Sequence, residues 1–192
     1  LKEYKIQINW NYDRPDFVLE SKHGEFIIEA VTTNSATGKD NEWDRDFSKF
    51  KNESITNINK EAIIRLSNSF TSKANHYISK YSKLPHVVGK PFIIAIAPFE
   101  QPFFNLQHDR PIKALLYDYY VDEDAYTENP LKYPSGPPVK NLGTIEKDNG
   151  TLIELGFFKD YFYSYISAVI FSCTATWGKV DVMCDDTDCT MF

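Results

Sequence analysis

Two acids on the arms of one apolar hairpin constrain this chain more than any other feature. Pro15-Asp16-Phe17-Val18-Leu19-Glu20 is followed, after Ser21-Lys22-His23-Gly24, by Glu25-Phe26-Ile27-Ile28-Glu29-Ala30-Val31. Val18, Leu19, Phe26, Ile27, Ile28 and Val31 are strong strand formers, and Gly24 supplies a turn, so the stretch predicts two paired strands. Asp16 opens the first strand and Glu29 lies late on the second. A carboxylate beside an apolar core is costly unless it is paired or binds a metal.

The turn decides whether the acids meet. With Lys22-His23 as the turn, Asp16 falls opposite Glu29, with Cβ atoms roughly 5 Å apart. With His23-Gly24 as the turn, which suits glycine better, Glu29 faces Val18 and Asp16 sits diagonally, roughly 7–8 Å away. Either spacing allows a shared divalent cation. A three-residue turn without a bulge would put the acids on opposite faces. On the bland reading Asp16 caps a turn and Glu29 points outward.

The rest of the chain can be arranged around this hairpin. Residues Glu3 to Asn9 alternate as a half-buried strand. Thr32 to Asp40 reads as a polar loop, and Asn41 to Lys51 as a loop or short helix. Glu53 to Tyr81 is predicted as the longest helix, with Ile63, Leu66, Phe70, Ala74, Tyr77 and Tyr81 on its core stripe. Arg65, Ser69, Lys73, His76 and Lys80 form a neighbouring stripe. Exposed lysines are usual, so a solvated basic face is the plain reading of that stripe. Phe92 to Ala97 is a continuous apolar run, expected to be a strand buried on both faces. The helix before it implies a crossover onto the hairpin's sheet.

Further on, Asp109 to Tyr120 predicts a short helix capped by Asp109. Val121 to Pro138 reads as a long acidic loop of the kind that forms lids or inserts. Asp148-Asn149-Gly150, between Gly143–Lys147 and Thr151–Leu155, signals a hairpin. Ser167 to Ser172 reads as another buried strand, with Lys179 to Met183 as its expected partner. The fold expected is α/β: a mixed central β-sheet of Lys5–Asn9, Asp16–Glu20, Glu25–Val31 and Phe92–Ala97, flanked by helices.

Composition narrows the function classes. At 192 residues, with 42% hydrophobic and 25% charged residues, the chain has room for a real core and reads as one domain, 1–192. Its first residues, Leu1-Lys2-Glu3-Tyr4, resemble neither a signal peptide nor an initiator, leaving a longer parent protein open. No apolar run reaches about 18 residues, so no membrane span is expected. Cys173, Cys184 and Cys189 are an odd, sparse set that favours a reducing compartment, read as cytoplasmic, and Cys184 with Cys189 is too small a set for zinc. The acidic run Asp185 to Asp188 reads as solvated. The formal net charge of −6 means that a nucleic-acid partner would need a local basic patch.

The order strand, Pro-Asp strand, Glu strand, long helix with an inner lysine, buried strand resembles the PD-(D/E)xK nuclease superfamily, the restriction-endonuclease-like fold. Pro15-Asp16 and Glu29-Ala30-Val31 carry the resemblance, which spans roughly Tyr4 to Ala97. The family's lysine position is occupied by Val31, and Lys73 is the candidate for a lysine supplied from the helix. The resemblance implies a metal-dependent phosphodiester hydrolase acting on DNA. Asp16 and Glu29 would hold Mg2+ or Mn2+, Asp16, Glu29 and Lys73 would be catalytic, and Arg65 and His76 would contact substrate. Glu20, on the strand face of Asp16, is a further candidate ligand. Lys73→Met is expected to leave folding nearly intact.

Two other functions compete. Val31 and the net acidity favour a nuclease-like domain without catalysis, serving as a binding or regulatory module. The aromatic surplus near Phe99, Phe103, Phe104 and Tyr117 to Tyr120 allows a carbohydrate or small-molecule binder, although aromatic residues more often fill cores. Oligomeric state and substrate sequence are not legible in the chain.

Overall fold

A computed structural model describes residues 5–35 and 54–175, together with the single positions 38 and 46. The expectations for Asn41 to Lys51, for Lys179 to Met183, for Cys184 and Cys189 and for Asp185 to Asp188 lie outside the described residues.

Strands β1 (Gln7–Asn9), β2 (Phe17–Ser21) and β3 (Gly24–Asn34) form an antiparallel meander. Helix α1 (Ile55–His76) then crosses over to β4 (Phe92–Phe99), which runs parallel to β3. A later strand, β9 (Ala168–Phe171), lies parallel on the outer side of β4; expected to be buried, it is instead half-buried with Ile170 exposed, because it is the last strand of the sheet. The central sheet is therefore mixed, in the order β1-β2-β3-β4-β9. This is an α/β architecture, and it contains every strand that the sequence placed in the central sheet.

The hairpin turn is Lys22-His23, with Ser21 paired to Gly24. Glycine is needed beside the turn rather than in it. Gly24 has φ of 121°, a region that side chains rarely adopt. The Ser21 hydroxyl donates to the Gly24 carbonyl at 3.0 Å and accepts from the His23 amide at 3.1 Å, which favours the tight turn over the alternatives.

Helix α1 covers one sheet face. Ile58, Ala62, Ile63, Leu66, Phe70 and Ala74, spaced by three and four residues, are all buried. Ile63, Leu66, Phe70 and Ala74 join Val18, Ile27, Phe92, Ile94 and Ile96 in one core cluster. Ser54 caps the helix, its Oγ accepting from the Thr56 amide at 3.1 Å and donating to Asp124 at 2.8 Å. The helix is shorter than expected: its α turns end at His76, and Tyr77–Tyr81 form a π turn, closed by the Ser82 amide on the Tyr77 carbonyl at 2.8 Å.

Strand β4 differs from the expectation of two buried faces. Burial alternates along it, with Phe92, Ile94 and Ile96 inside and Ile93, Ala95 and Ala97 half-buried. A helix crossing on one side buries one row of a pleated strand, since successive side chains point to opposite faces.

Helix α2 (Arg110–Tyr117) falls within the predicted short helix but ends at Tyr117, where Asp118 turns left-handed with φ of 52°, and the Asp109 side chain pairs with Lys113 instead of capping the helix. The stretch read as a long loop has structure of its own: β5 (Tyr120–Val121) pairs with β6 (Val139–Lys140), and between them lie α3 (Glu123–Glu128) and a 3-10 turn. The expected Asn-Gly hairpin is β7 (Thr144–Glu146) with β8 (Leu152–Glu154). Phe103, Phe104 and Tyr120 are buried, so much of the aromatic surplus fills the core.

Candidate functional site

The hairpin register, extended one residue beyond the Phe17–Ile28 pair, sets Asp16 opposite Glu29. The backbone ties the two together. The Asp16 amide donates to Glu29 Oε2 at 3.3 Å, and the Ala30 amide donates to Asp16 Oδ2 at 2.7 Å. Asp16 is exposed, and its Oδ1 has no hydrogen-bond partner among the described residues. Glu29 is only 2% exposed, on the sheet face beneath α1. A buried carboxylate at this point needs donors.

Helix α1 supplies the strongest of them. Lys73 Nζ lies 2.7 Å from Glu29 Oε1. Lys73 stands in the last turn of α1, where the helix dipole also favours a cation. It sits at the edge of the core stripe, so its stem can follow apolar surface while the ammonium reaches the acid. The Tyr81 hydroxyl donates to the same oxygen at 3.4 Å. Burial, and then the negative charge of Glu29, push the Tyr81 phenol above its ordinary pKa.

Val31 is two residues beyond Glu29 on the same strand face, and it packs against the core cluster. A lysine there would have to bury its stem under the helix. Lys73 brings an ammonium to Glu29 from above instead.

Asp16, Glu29 and Lys73 thus meet, whereas Arg65 does not join them. It is paired with Glu61 at 2.9 Å, eight residues before Lys73 and so roughly 12 Å away along the helix. A shared stripe does not shorten that axial distance. His76 lies nearer, its ring edge-on to Tyr81 at 6.4 Å. Glu20 is four residues from Asp16, roughly 13 Å along an extended strand, and accepts a hydrogen bond from Asn9 at 3.1 Å. It is not part of the cluster. The expectation that Lys73→Met leaves folding intact also changes. Removing the ammonium leaves Glu29 buried without its counter-charge, and breaking a buried pair costs about 3–5 kcal/mol.

Sequence reasoning placed Tyr81 in the core and missed its contact with Glu29. It also missed the stacked pair Tyr12–His86, with centroids 3.9 Å apart, whose His86 Nε2 donates to the Arg14 carbonyl at 2.7 Å beside Pro15.

Among the described residues, no three His, Cys, Asp or Glu side chains gather into a metal cage. A two-carboxylate set still suits one ion, because magnesium keeps several waters and takes one or two protein carboxylates. Asp16 Oδ1 and Glu29 Oε2, both hard oxygens, are the atoms that fit it: Glu29 Oε1 is engaged by Lys73 and Tyr81, while Oε2 accepts only the 3.3 Å bond from the Asp16 amide.

Fold and site together define an α/β domain with a mixed sheet, carrying two opposed acids and an ammonium donated by the crossover helix. No protein-family model, curated protein or solved structure matches the chain. Among the described residues, no helix is long and apolar enough to cross a membrane.

Proposed function

We propose that this protein is a metal-dependent phosphodiester hydrolase acting on DNA, with the restriction-endonuclease-like architecture. The observation that carries the reading is the Lys73 ammonium 2.7 Å from a buried Glu29 that faces Asp16 across the hairpin. Asp16 and Glu29 would hold Mg2+ or Mn2+, which when bound polarises a phosphoryl oxygen and acidifies a bound water. Asp16 is exposed and faces substrate, while Glu29 is fixed by its donors. Lys73 holds positive charge next to the acids, where charge develops in phosphodiester cleavage. The resemblance to PD-(D/E)xK nucleases supports the same assignment, with the helix lysine standing in for the residue that Val31 replaces. His76, near Tyr81, remains a candidate for contact with the substrate backbone.

One observation favours a second reading, a binding module without catalysis: the Lys73–Glu29 pair satisfies the buried acid without any metal. Metal dependence separates the two. Duplex and single-stranded DNA incubated with the protein should be cut with millimolar Mg2+ or Mn2+ and left intact with EDTA. Asp16→Asn keeps an oxygen for the Ala30 amide but removes the charge, and cutting should fall by at least tenfold. Intact DNA under every metal condition, from protein that melts cooperatively, would favour the binding module.

A further inference from the structure

The π turn at the end of α1 places a second donor on Glu29. Lys73 and Tyr81 are eight residues apart, so a continuous α-helix would hold their side chains about 80° apart around the axis. The Tyr77–Tyr81 segment closes i to i+5, through the Ser82 amide on the Tyr77 carbonyl. One extra residue in a turn holds the following side chains back by roughly 100°, which brings Tyr81 to within about 20° of Lys73. The two then reach the same oxygen, Glu29 Oε1, at 2.7 Å and 3.4 Å.

We propose that Tyr81 is a positioning residue for metal binding: with Lys73 it fixes Glu29 Oε1, so that Oε2 is presented towards Asp16. The inference rests on the reading of Asp16 and Glu29 as metal ligands. Two donors on one oxygen set the rotation of the carboxylate in a way that one flexible ammonium does not. Tyr81 is 6% exposed, so its hydroxyl serves Glu29 rather than a substrate in solution. Groups that orient a metal ligand are commonly worth tenfold to a hundredfold in metal affinity.

The test is Mn2+ affinity, measured calorimetrically on the full chain for wild type, Tyr81→Phe and Tyr165→Phe. Tyr165 is half-buried, and its hydroxyl has no hydrogen-bond partner among the described residues, so its variant controls for loss of a phenol. Tyr81→Phe is expected to bind Mn2+ at least tenfold more weakly, and Tyr165→Phe within twofold of wild type. Equal affinity in Tyr81→Phe and wild type would overturn the role of Tyr81 and leave the metal site standing. Absence of saturable Mn2+ binding in wild type would overturn the metal site and this inference with it. Deletion of the exposed Ser79 shortens the π turn and swings the phenol away, and it gives a second variant should Tyr81→Phe fold poorly. The same loss is expected, and wild-type affinity in a folded deletion variant would overturn the inference.

Discussion

Glu29 receives three donors, from Lys73, Tyr81 and the Asp16 backbone, at a position where an apolar side chain would have been the simpler choice. The two acids were legible in the sequence because strand alternation is local, and only the turn was undecided. Lys73 was legible because helical periodicity put it at the edge of the core stripe. Tyr81 was not, since a π turn leaves no mark in the pattern of residue types. Arg65 and Glu20 share a face with the site and still lie outside the cluster, because a shared face says nothing about distance along the element. A second buried acid, Glu100, went unremarked in the sequence. It is 1% exposed and accepts from Thr33 at 2.5 Å and from Gln107. Burial raises its pKa, and the hydrogen bonds from Thr33 and Gln107 offset only part of that. The folded state therefore holds this proton more tightly than the unfolded chain. Its contribution to stability is full below the ordinary glutamate range, about 4.3, and is lost as pH rises through the raised value. Glu100→Gln should accordingly gain melting temperature relative to wild type as pH rises above the ordinary glutamate range, the gap widening until the raised value is passed. A gap that stays constant in a melting series would contradict this.

At the scale of elements, periodicity identified α1, β2, β3 and β4 but misjudged where helices end and how thickly strands are covered. Tyr77 to Tyr81 continues the apolar spacing of α1, so nothing local marks the change from α to π. The stretch from 121 to 138 is rich in acids and prolines, which reads as a loop. Its structure comes from a cap, Asp122 Oδ1 accepting from the Ala125 amide at 3.1 Å, and from the distant β5–β6 pairing. The start of α1 is fastened to that excursion through Ser54, which caps its own helix and bonds Asp124. Ser54→Ala should cost about 1 kcal/mol, as loss of a helix cap usually does. Asp124→Ala, which removes only the outer bond, should cost less. Urea denaturation of both variants checks the order, and equal or reversed costs would show that the cap contributes little here.

For the whole molecule, the arrangement follows from one crossover. β3 and β4 are parallel neighbours, so the chain between them must travel back over the sheet, and α1 does so on the face that carries Glu29. That path brings the last turn of the helix to the hairpin acids. The net charge of −6 repels a polyanion, so the positive charge of Lys73 is local, set against two carboxylates. The central claim is that these three side chains form one chemical site. Single-turnover cleavage of labelled DNA in Mn2+ by Lys73→Met and by Lys80→Met tests it most directly, run at a temperature where melting curves show both variants folded. Lys80 is exposed, in the π turn seven residues beyond Lys73. The account predicts that Lys73→Met slows cleavage by a factor of about 10²–10³, the scale of losing one charge-stabilising group, while Lys80→Met stays within about threefold of wild type. Equal rates for folded Lys73→Met and wild type would contradict it.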